Sequence, residues 1–116
     1  MADQTVARVT SDWFRFFLEY NPADYWEQVD VPILALFGEL DVQVDSGQNA
    51  PALEAVLERA RTDDYTIVIF PTANHLFQDA VTGSISEYGD LTQEFVPDFL
   101  PTITDWLLER VEVLAA

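Results

Sequence analysis

The chain has 116 residues, which favours a single domain, and its 49% hydrophobic and 13% aromatic content is sufficient for a core. Five basic residues face 21 acidic ones, and the formal net charge of −16 argues against nucleic acid or an anionic membrane as a partner. The absence of cysteine excludes disulfides, thiolate chemistry and cysteine zinc sites.

Residues 1–10 carry little pattern, and we predict that they form a loose lead-in to the domain 1–116. They lack the apolar core of a signal peptide, and no apolar run reaches the roughly 18 residues of a spanning helix. A cytoplasmic location is therefore expected. No Asp-x-Asp-x-Asp-Gly calcium spacing occurs, so we predict no metal and no cofactor and interpret the acidic residues as solvated surface.

The first predicted helix is very rich in aromatic residues. It begins near Ser11, with Ser11 or Thr10 as its cap, and ends at Asn21-Pro22. Core packing is the first interpretation of its apolar face, and a surface for a partner is the alternative. The residues at helical spacing are Trp13, Phe16, Phe17 and Tyr20.

A β-α-β unit is predicted next. The run Val31 to Phe37 is apolar on both faces, which is typical of a buried parallel strand. A helix follows, with Asn49 as its expected cap and Pro51 in its first turn. The second strand covers Tyr65 to Phe70 and is rich in β-branched residues. The predicted fold class is therefore α/β, with two parallel strands at about 31–37 and 65–70 and flanking helices.

The C-terminal part combines an irregular stretch with a last helix. Residues Leu76 to Tyr88 look irregular, and Gly83 interrupts them. The last helix is expected to run from Pro97 or Asp98 to Leu114. Its apolar positions at helical spacing are Leu100, Ile103, Trp106, Leu107, Val111 and Leu114.

The candidate site consists of Asp41 and His75, the only histidine of the chain. Asp41 lies four residues after Phe37, and His75 lies five residues after Phe70. If the two strands are parallel neighbours, both loops leave the same edge of the sheet about 5 Å apart. A carboxylate beside an imidazole orients the ring and stabilises its protonated form, as a general base requires. The alternative is a purely structural histidine.

Segments around both residues resemble a known family. The segment Val31 to Val44, with Gly38-Glu39-Leu40-Asp41, is similar to the one that carries the triad acid in α/β-hydrolases of the esterase and peptidase-like type. The segment Phe70 to Gln78, with Asn74-His75, resembles the one that carries their triad histidine. The resemblance implies Asp41 as the triad acid and His75 as the general base.

Two further segments extend the resemblance to most of the chain, from Ser11 to Leu108. They are Thr82-Gly83 to Glu87-Tyr88, and Trp13 to Leu18 followed by Tyr20-Asn21-Pro22. The family's activity on esters, amides or peptides is what the resemblance implies. The substrate itself is not readable, because the family builds most of its pocket from other parts of the fold.

The nucleophile of that family has no counterpart here. α/β-Hydrolases hold a serine in a Gly-x-Ser-x-Gly elbow upstream of the acid, and this motif and the oxyanion-hole strand are missing. The chain therefore resembles only the C-terminal part of the fold. None of its serines is predicted on a sharp strand-to-helix turn; they are Ser11, Ser46, Ser84 and Ser86.

A two-stranded parallel sheet is too small to be stable alone. The outer edge of the strand 31–37 is apolar and unpaired, and such edges invite pairing with another chain. Two copies paired across a two-fold axis would form a four-stranded sheet. We therefore expect a homodimer or larger assembly through this edge.

Three functions remain open from the sequence. The first is a truncated hydrolase-like protein that keeps Asp41 and His75 and has little or no activity alone. The second is an active ester or amide hydrolase that uses an unusual nucleophile or one from a complementary chain. The third is a non-enzymatic interaction module on a reused hydrolase scaffold, with the exposed aromatic and acidic surface as its interface.

Overall fold

The computed structural model describes residues 11–115, with side chains up to Val111. The predicted lead-in 1–10 lies outside the described residues. Within 11–115, no helix combines the length and the apolar character needed to cross a membrane. The elements in chain order are α1 (Asp12–Glu19), α2 (Ala23–Trp26), β1 (Ile33–Gly38), α3 (Ser46–Glu58), β2 (Tyr65–Phe70), a 3₁₀ helix (Ile85–Asp90) and α4 (Phe99–Ala115).

The two strands form a parallel pair, as predicted, in a mixed α/β arrangement. Ile33 lies opposite Tyr65, and the Ile33 amide donates to the Asp64 carbonyl at 3.0 Å. Hydrogen bonding alternates along a parallel pair, so the amides of Leu34 and Leu36 point to the other edge of β1. In the described part of the chain no third strand pairs with that edge.

Helices cover both faces of this small sheet. α3 lies against the face that carries Ile67 and Ile69 of β2. On the opposite face, Leu36 and Val68 pack with Phe99 of α4 around the buried core. The buried members of that core are Phe70, Ala73 and Val96. The core therefore lies at the carboxyl end of the sheet, directly beneath the loop that carries His75.

An ion pair fixes α4 to the opposite end of the sheet. The Arg110 guanidinium donates to both carboxylate oxygens of Asp64, at 2.9 and 2.6 Å. The same guanidinium stacks over the Trp106 ring, 3.9 Å from its centre. A two-point contact of this kind sets orientation as well as distance, so α4 is held at the start of β2 as well as at its end.

The predicted start of α3 is wrong. The helix begins at Ser46, because the Asp45 carboxylate accepts a hydrogen bond from the Gly47 amide at 3.0 Å and caps it one turn early. The Asn49 amide donates to the Asp45 carbonyl at 2.9 Å and so lies inside the helix. Pro51 consequently lies in the helix interior rather than in its first turn.

Two burial predictions are also wrong. The α1 helix itself is confirmed, and the Ser11 hydroxyl accepts from the Phe14 amide at 3.1 Å. Its aromatic face, however, is exposed rather than part of the core: Trp13 and Phe17 stack on each other and are 64% and 60% exposed. At the end of this face, Tyr20 stacks on Tyr25 of α2, with the ring centres 5.2 Å apart. Likewise, β1 is only half-buried up to Phe37, because helices cover a two-stranded sheet incompletely.

The C-terminal elements agree with the prediction within a few residues. The stretch predicted as irregular contains mainly loops, and the 3₁₀ helix begins at Ile85. α4 begins at Phe99, one residue after the later of its two predicted starts, and continues to Ala115.

Candidate active site

Asp41 and His75 are in contact at the carboxyl end of the sheet. Asp41 lies in the loop after β1, and His75 lies in the loop after β2. The His75 Nδ1 atom is 2.9 Å from the Asp41 Oδ2 atom. The predicted contact is confirmed, because parallel neighbouring strands deliver both loops to the same edge.

Backbone contacts hold these two loops together. The Leu40 amide donates to the Ala73 carbonyl at 2.9 Å. Leu40 directly precedes Asp41, and Ala73 lies two residues before His75. Gly38 permits this approach, because a β-carbon there would lie 2.5 Å from the carbonyl oxygens of Ala73 and Asn74. Such a distance is too short for contact with backbone atoms, so the strand must end in glycine.

The Asp41 carboxylate is fixed on both of its oxygens. Oδ1 accepts from the amides of Gln43 and Val44 at 2.8 and 2.9 Å, while Oδ2 faces His75. The side chain is 9% exposed. Burial raises the pKa of Asp41, but the Val44 amide, His75 and the Gln43 amide together outweigh burial and place the pKa below its ordinary value of 3.8. The carboxylate is therefore charged at neutral pH.

The loop that carries His75 is organised by Asn74, which is fully buried. Its Oδ1 accepts from the amides of Leu76 and Gln78, both at 2.9 Å. Its Nδ2 donates to the Gln78 side-chain oxygen at 3.1 Å. The side chain thus satisfies amides that a loop cannot pair internally, and it lets Phe77 adopt a left-handed φ of 59°.

Neither Asn74 nor Gly38 was predicted from the sequence as a site residue. An asparagine directly before a histidine, just after a strand, was the available signal, because such side chains bond amides two residues ahead. A glycine at the last position of a strand was the corresponding signal for close backbone approach.

The imidazole of His75 has one nitrogen on Asp41 and one without a partner in the described structure. Nδ1 faces Asp41, and Nε2 has no hydrogen-bond partner among the residues described, 11–111. The side chain is 38% exposed. When Nδ1 carries the proton and donates it to the carboxylate, Nε2 offers a lone pair to an incoming proton. This is the orientation that a general base requires.

No serine of the described chain reaches this nitrogen. Ser11 caps α1, and Ser46 is buried in the first turn of α3. The hydroxyls of Ser84 and Ser86 are hydrogen-bonded to each other at 2.8 Å, and neither bonds His75. Within the described residues there is also no group of three or more histidine and acidic side chains suited to a metal ion.

Comparisons of the chain with protein-family models, with curated proteins and with solved structures gave no match. The resemblance to α/β-hydrolases therefore rests on the four sequence segments that carry it. The roles that this resemblance implies are proposals.

Proposed function

We propose that this chain carries the acid and the histidine of an α/β-hydrolase-type site, without a serine nucleophile, and has little or no ester or amide hydrolysis alone. The observation that supports it is the 2.9 Å contact from His75 Nδ1 to Asp41 Oδ2, with Nε2 unpaired among the described residues. On this proposal the chain is the C-terminal part of a hydrolase fold, and Asp41 and His75 keep the orientation of a triad.

The missing nucleophile limits the chemistry. In a complete triad, the histidine removes the serine proton and the acid stabilises the imidazolium that forms. Within residues 11–111 no serine hydroxyl bonds Nε2 of His75, so on this proposal the proton comes from water or from a group on another chain. Even with intact oxyanion donors, sites that lack one triad member retain only about 10³ to 10⁴ over water. With those donors also missing from the sequence, we expect an enhancement below about 10³.

Two assays test this proposal on wild type, His75→Ala and Asp41→Asn. The first is hydrolysis of p-nitrophenyl acetate, and the second is labelling by a fluorophosphonate probe followed by peptide mass spectrometry. We expect equal, low hydrolysis rates in all three proteins and no labelled serine. Hydrolysis that disappears in His75→Ala, or labelling of Ser84 or Ser86, would show that the chain is an active enzyme.

A second candidate is an active hydrolase whose nucleophile comes from a complementary chain. Within residues 11–115 no strand pairs with the outer edge of β1, and this edge ends at the loop that carries Asp41, which favours this candidate. The test uses tagged wild type and His75→Ala as baits in the native lysate, followed by the fluorophosphonate probe. A co-purified serine hydrolase that is labelled only with the wild-type bait supports this candidate, whereas equal labelling with both baits rejects it.

For the assembly, we propose a homodimer through the outer edge of β1. The amides of Leu34 and Leu36 point to this edge, and an apolar groove of about 510 Å³ runs beside it. Side chains of β1 and of α4, including Ile103 and Trp106, line the groove. A two-fold axis would pair this edge with its own copy. Each copy carries a charge of −16, so the dimer should strengthen with salt.

Light scattering at low micromolar concentration tests the dimer at two ionic strengths. Leu34→Pro removes an outward amide and should give a monomer that keeps its circular dichroism. The matched variant Ala35→Pro removes an amide that faces β2 and should disrupt the sheet itself. A monomeric wild type at both ionic strengths contradicts the proposal.

A further inference from the structure

A cluster of backbone amides around one carboxylate, the Glu87 cluster, lies on the other side of the loop that carries Asp41. The Glu87 side chain accepts hydrogen bonds from three consecutive amides, those of Val81, Thr82 and Gly83. The shortest, from Gly83, is 2.7 Å, and the Thr82 amide contacts both carboxylate oxygens. Successive amides that converge in this way form an anion-binding concavity, and here the anion is the chain's own side chain.

Gly83, in this cluster, packs directly against the loop that carries Asp41. Gly83 has a left-handed φ of 82°, and a β-carbon at this position would collide with the Leu40 carbonyl. Leu40 is the residue before Asp41, and its amide donates to Ala73 in the histidine loop at 2.9 Å. The Leu40 backbone is therefore enclosed between the Glu87 cluster on one side and the histidine loop on the other.

The next residue of the same 3₁₀ helix reaches the far end of the acid loop. The Tyr88 hydroxyl accepts from the Gln43 side-chain amide at 3.0 Å. The Gln43 backbone amide in turn donates to Asp41 Oδ1 at 2.8 Å. The 3₁₀ helix thus supports the loop that carries Asp41 at two places. Glu87 holds Gly83 against Leu40, and Tyr88 bonds the Gln43 side chain.

From these contacts we infer that Glu87 and Tyr88 are positioning residues, which fix the loop 40–44 and so hold Asp41 against His75. Glu87 acts through the position of Gly83, and Tyr88 acts through Gln43. Only the catalytic consequence of this inference rests on the proposed function, because the contact between Asp41 and His75 exists without it.

The charge of Glu87 supports this role. Burial raises the pKa of Glu87, and hydrogen bonds from Gly83, Thr82 and Val81 outweigh burial and lower the pKa below its ordinary value. The side chain is thus an anion at neutral pH, and hydrogen bonds to an ionised acceptor are about twice as strong as neutral ones. Glu87→Gln keeps the acceptor but loses this advantage, while Glu87→Ala removes both.

The test reads the protonated nitrogen of His75 directly. Because His75 is the only histidine, its ring signals in long-range ¹H–¹⁵N spectra need no assignment. In the neutral form of the ring, which carries one proton, we expect that proton on Nδ1 in wild type. The fraction on Nδ1 should fall in Glu87→Gln and fall further in Glu87→Ala. Tyr88→Phe should lower it by less, and the exposed control Glu94→Gln should leave it unchanged.

Amide hydrogen exchange separates positioning from general destabilisation. In Glu87→Ala we expect the amides of Gln43 and Val44, which donate to Asp41, to exchange about tenfold faster. The reason is that the loop opens about tenfold more often when a hydrogen bond to a charged group no longer supports it. The amides of Ala35 and Phe37 in β1 should keep their wild-type rates. Equal acceleration of all four amides would mean that Glu87 only stabilises the fold, and the inference would be wrong.

The variant Asp41→Asn distinguishes the two proposals. If it moves the proton to Nε2 while both Glu87 variants leave the tautomer unchanged, the pair stands and the positioning role is refuted. If it leaves the tautomer unchanged, Asp41 and His75 are not paired in solution, and the proposed function fails as well. A graded effect of the Glu87 variants together with a full effect of Asp41→Asn supports both.

Discussion

Replacing Asp41 with asparagine should reverse the polarity of its contact with His75. The asparagine oxygen should stay on the amides of Gln43 and Val44, because the flipped side chain would place two donors against two donors. The amide NH₂ group then faces Nδ1, which must accept a hydrogen bond. The imidazole proton therefore moves to Nε2, and this nitrogen can no longer accept a proton from a nucleophile.

The energetic effect follows from three contacts. Asp41 accepts hydrogen bonds from two backbone amides and one imidazole nitrogen, at 2.8 to 2.9 Å, and its side chain is 9% exposed. A hydrogen bond to a charged group contributes about 1.5–3 kcal/mol, compared with about 0.5–1.5 kcal/mol for a neutral one. Losing about 1 kcal/mol at each contact predicts that Asp41→Asn lowers the free energy of unfolding by about 2–3 kcal/mol at pH 7.

The difference between wild type and this variant should depend on pH with a defined sign. The pKa of Asp41 is lower in the folded protein than its ordinary value of 3.8. A carboxylate of this kind stabilises the fold fully above its unfolded pKa, and the stabilisation disappears as pH falls through the folded pKa. The contribution of the Asp41 charge to this difference should therefore shrink below about pH 4.

Urea denaturation followed by tryptophan fluorescence measures this difference at a fixed protein concentration. Asp63→Asn is the matched control, because Asp63 is exposed and makes no hydrogen bond through its side chain in the described structure. It should change stability by less than about 0.5 kcal/mol. A loss of similar size in Asp41→Asn, with the proton still on Nδ1 of His75, would refute the reasoning.

Three further predictions concern the scaffold of the site and are checked by the same denaturation assay. Gly38→Ala should cost about 3 kcal/mol or prevent folding, because the new β-carbon meets two backbone oxygens at 2.5 Å; Gly89→Ala, with no atom within 4 Å, should cost less than about 1 kcal/mol. Asn74→Ala should cost about 2–4 kcal/mol, because it leaves two loop amides without their acceptor in a buried position. Arg110→Lys should cost about 1 kcal/mol, because lysine cannot reproduce the two-point contact with the partly exposed Asp64.

The features that the sequence predicted correctly are those set by local pattern. The apolar run before Gly38 and the β-branched run Tyr65–Phe70 identify two strands, and the predicted helix between them is the crossover that a parallel pair needs. Once the strands are parallel neighbours, the proximity of Asp41 and His75 follows from their distance to each strand end. The contact between the two side chains could thus be predicted from the sequence.

The features that were missed depend on tertiary structure. Both Asp45 and Asn49 can cap a helix, and the choice depends on where the chain turns after β1. Whether the aromatic face of α1 is covered depends on what packs over it, and spacing alone predicts only that the face exists. The three amides around Glu87 converge because of the backbone angles near Gly83, which no periodicity encodes.

The partly exposed side chain of His75 allows binding partners of the chain to be detected chemically. Diethylpyrocarbonate acylates unprotonated imidazole nitrogens, and Nδ1 is shielded by Asp41. With one histidine in 116 residues, modification of the ring gives a single mass adduct. Any molecule that covers the site, whether a nucleophile-bearing chain or a small ligand, will slow that adduct's formation. A mixture of candidate partners can therefore be screened through one side chain, without a label and without a known substrate.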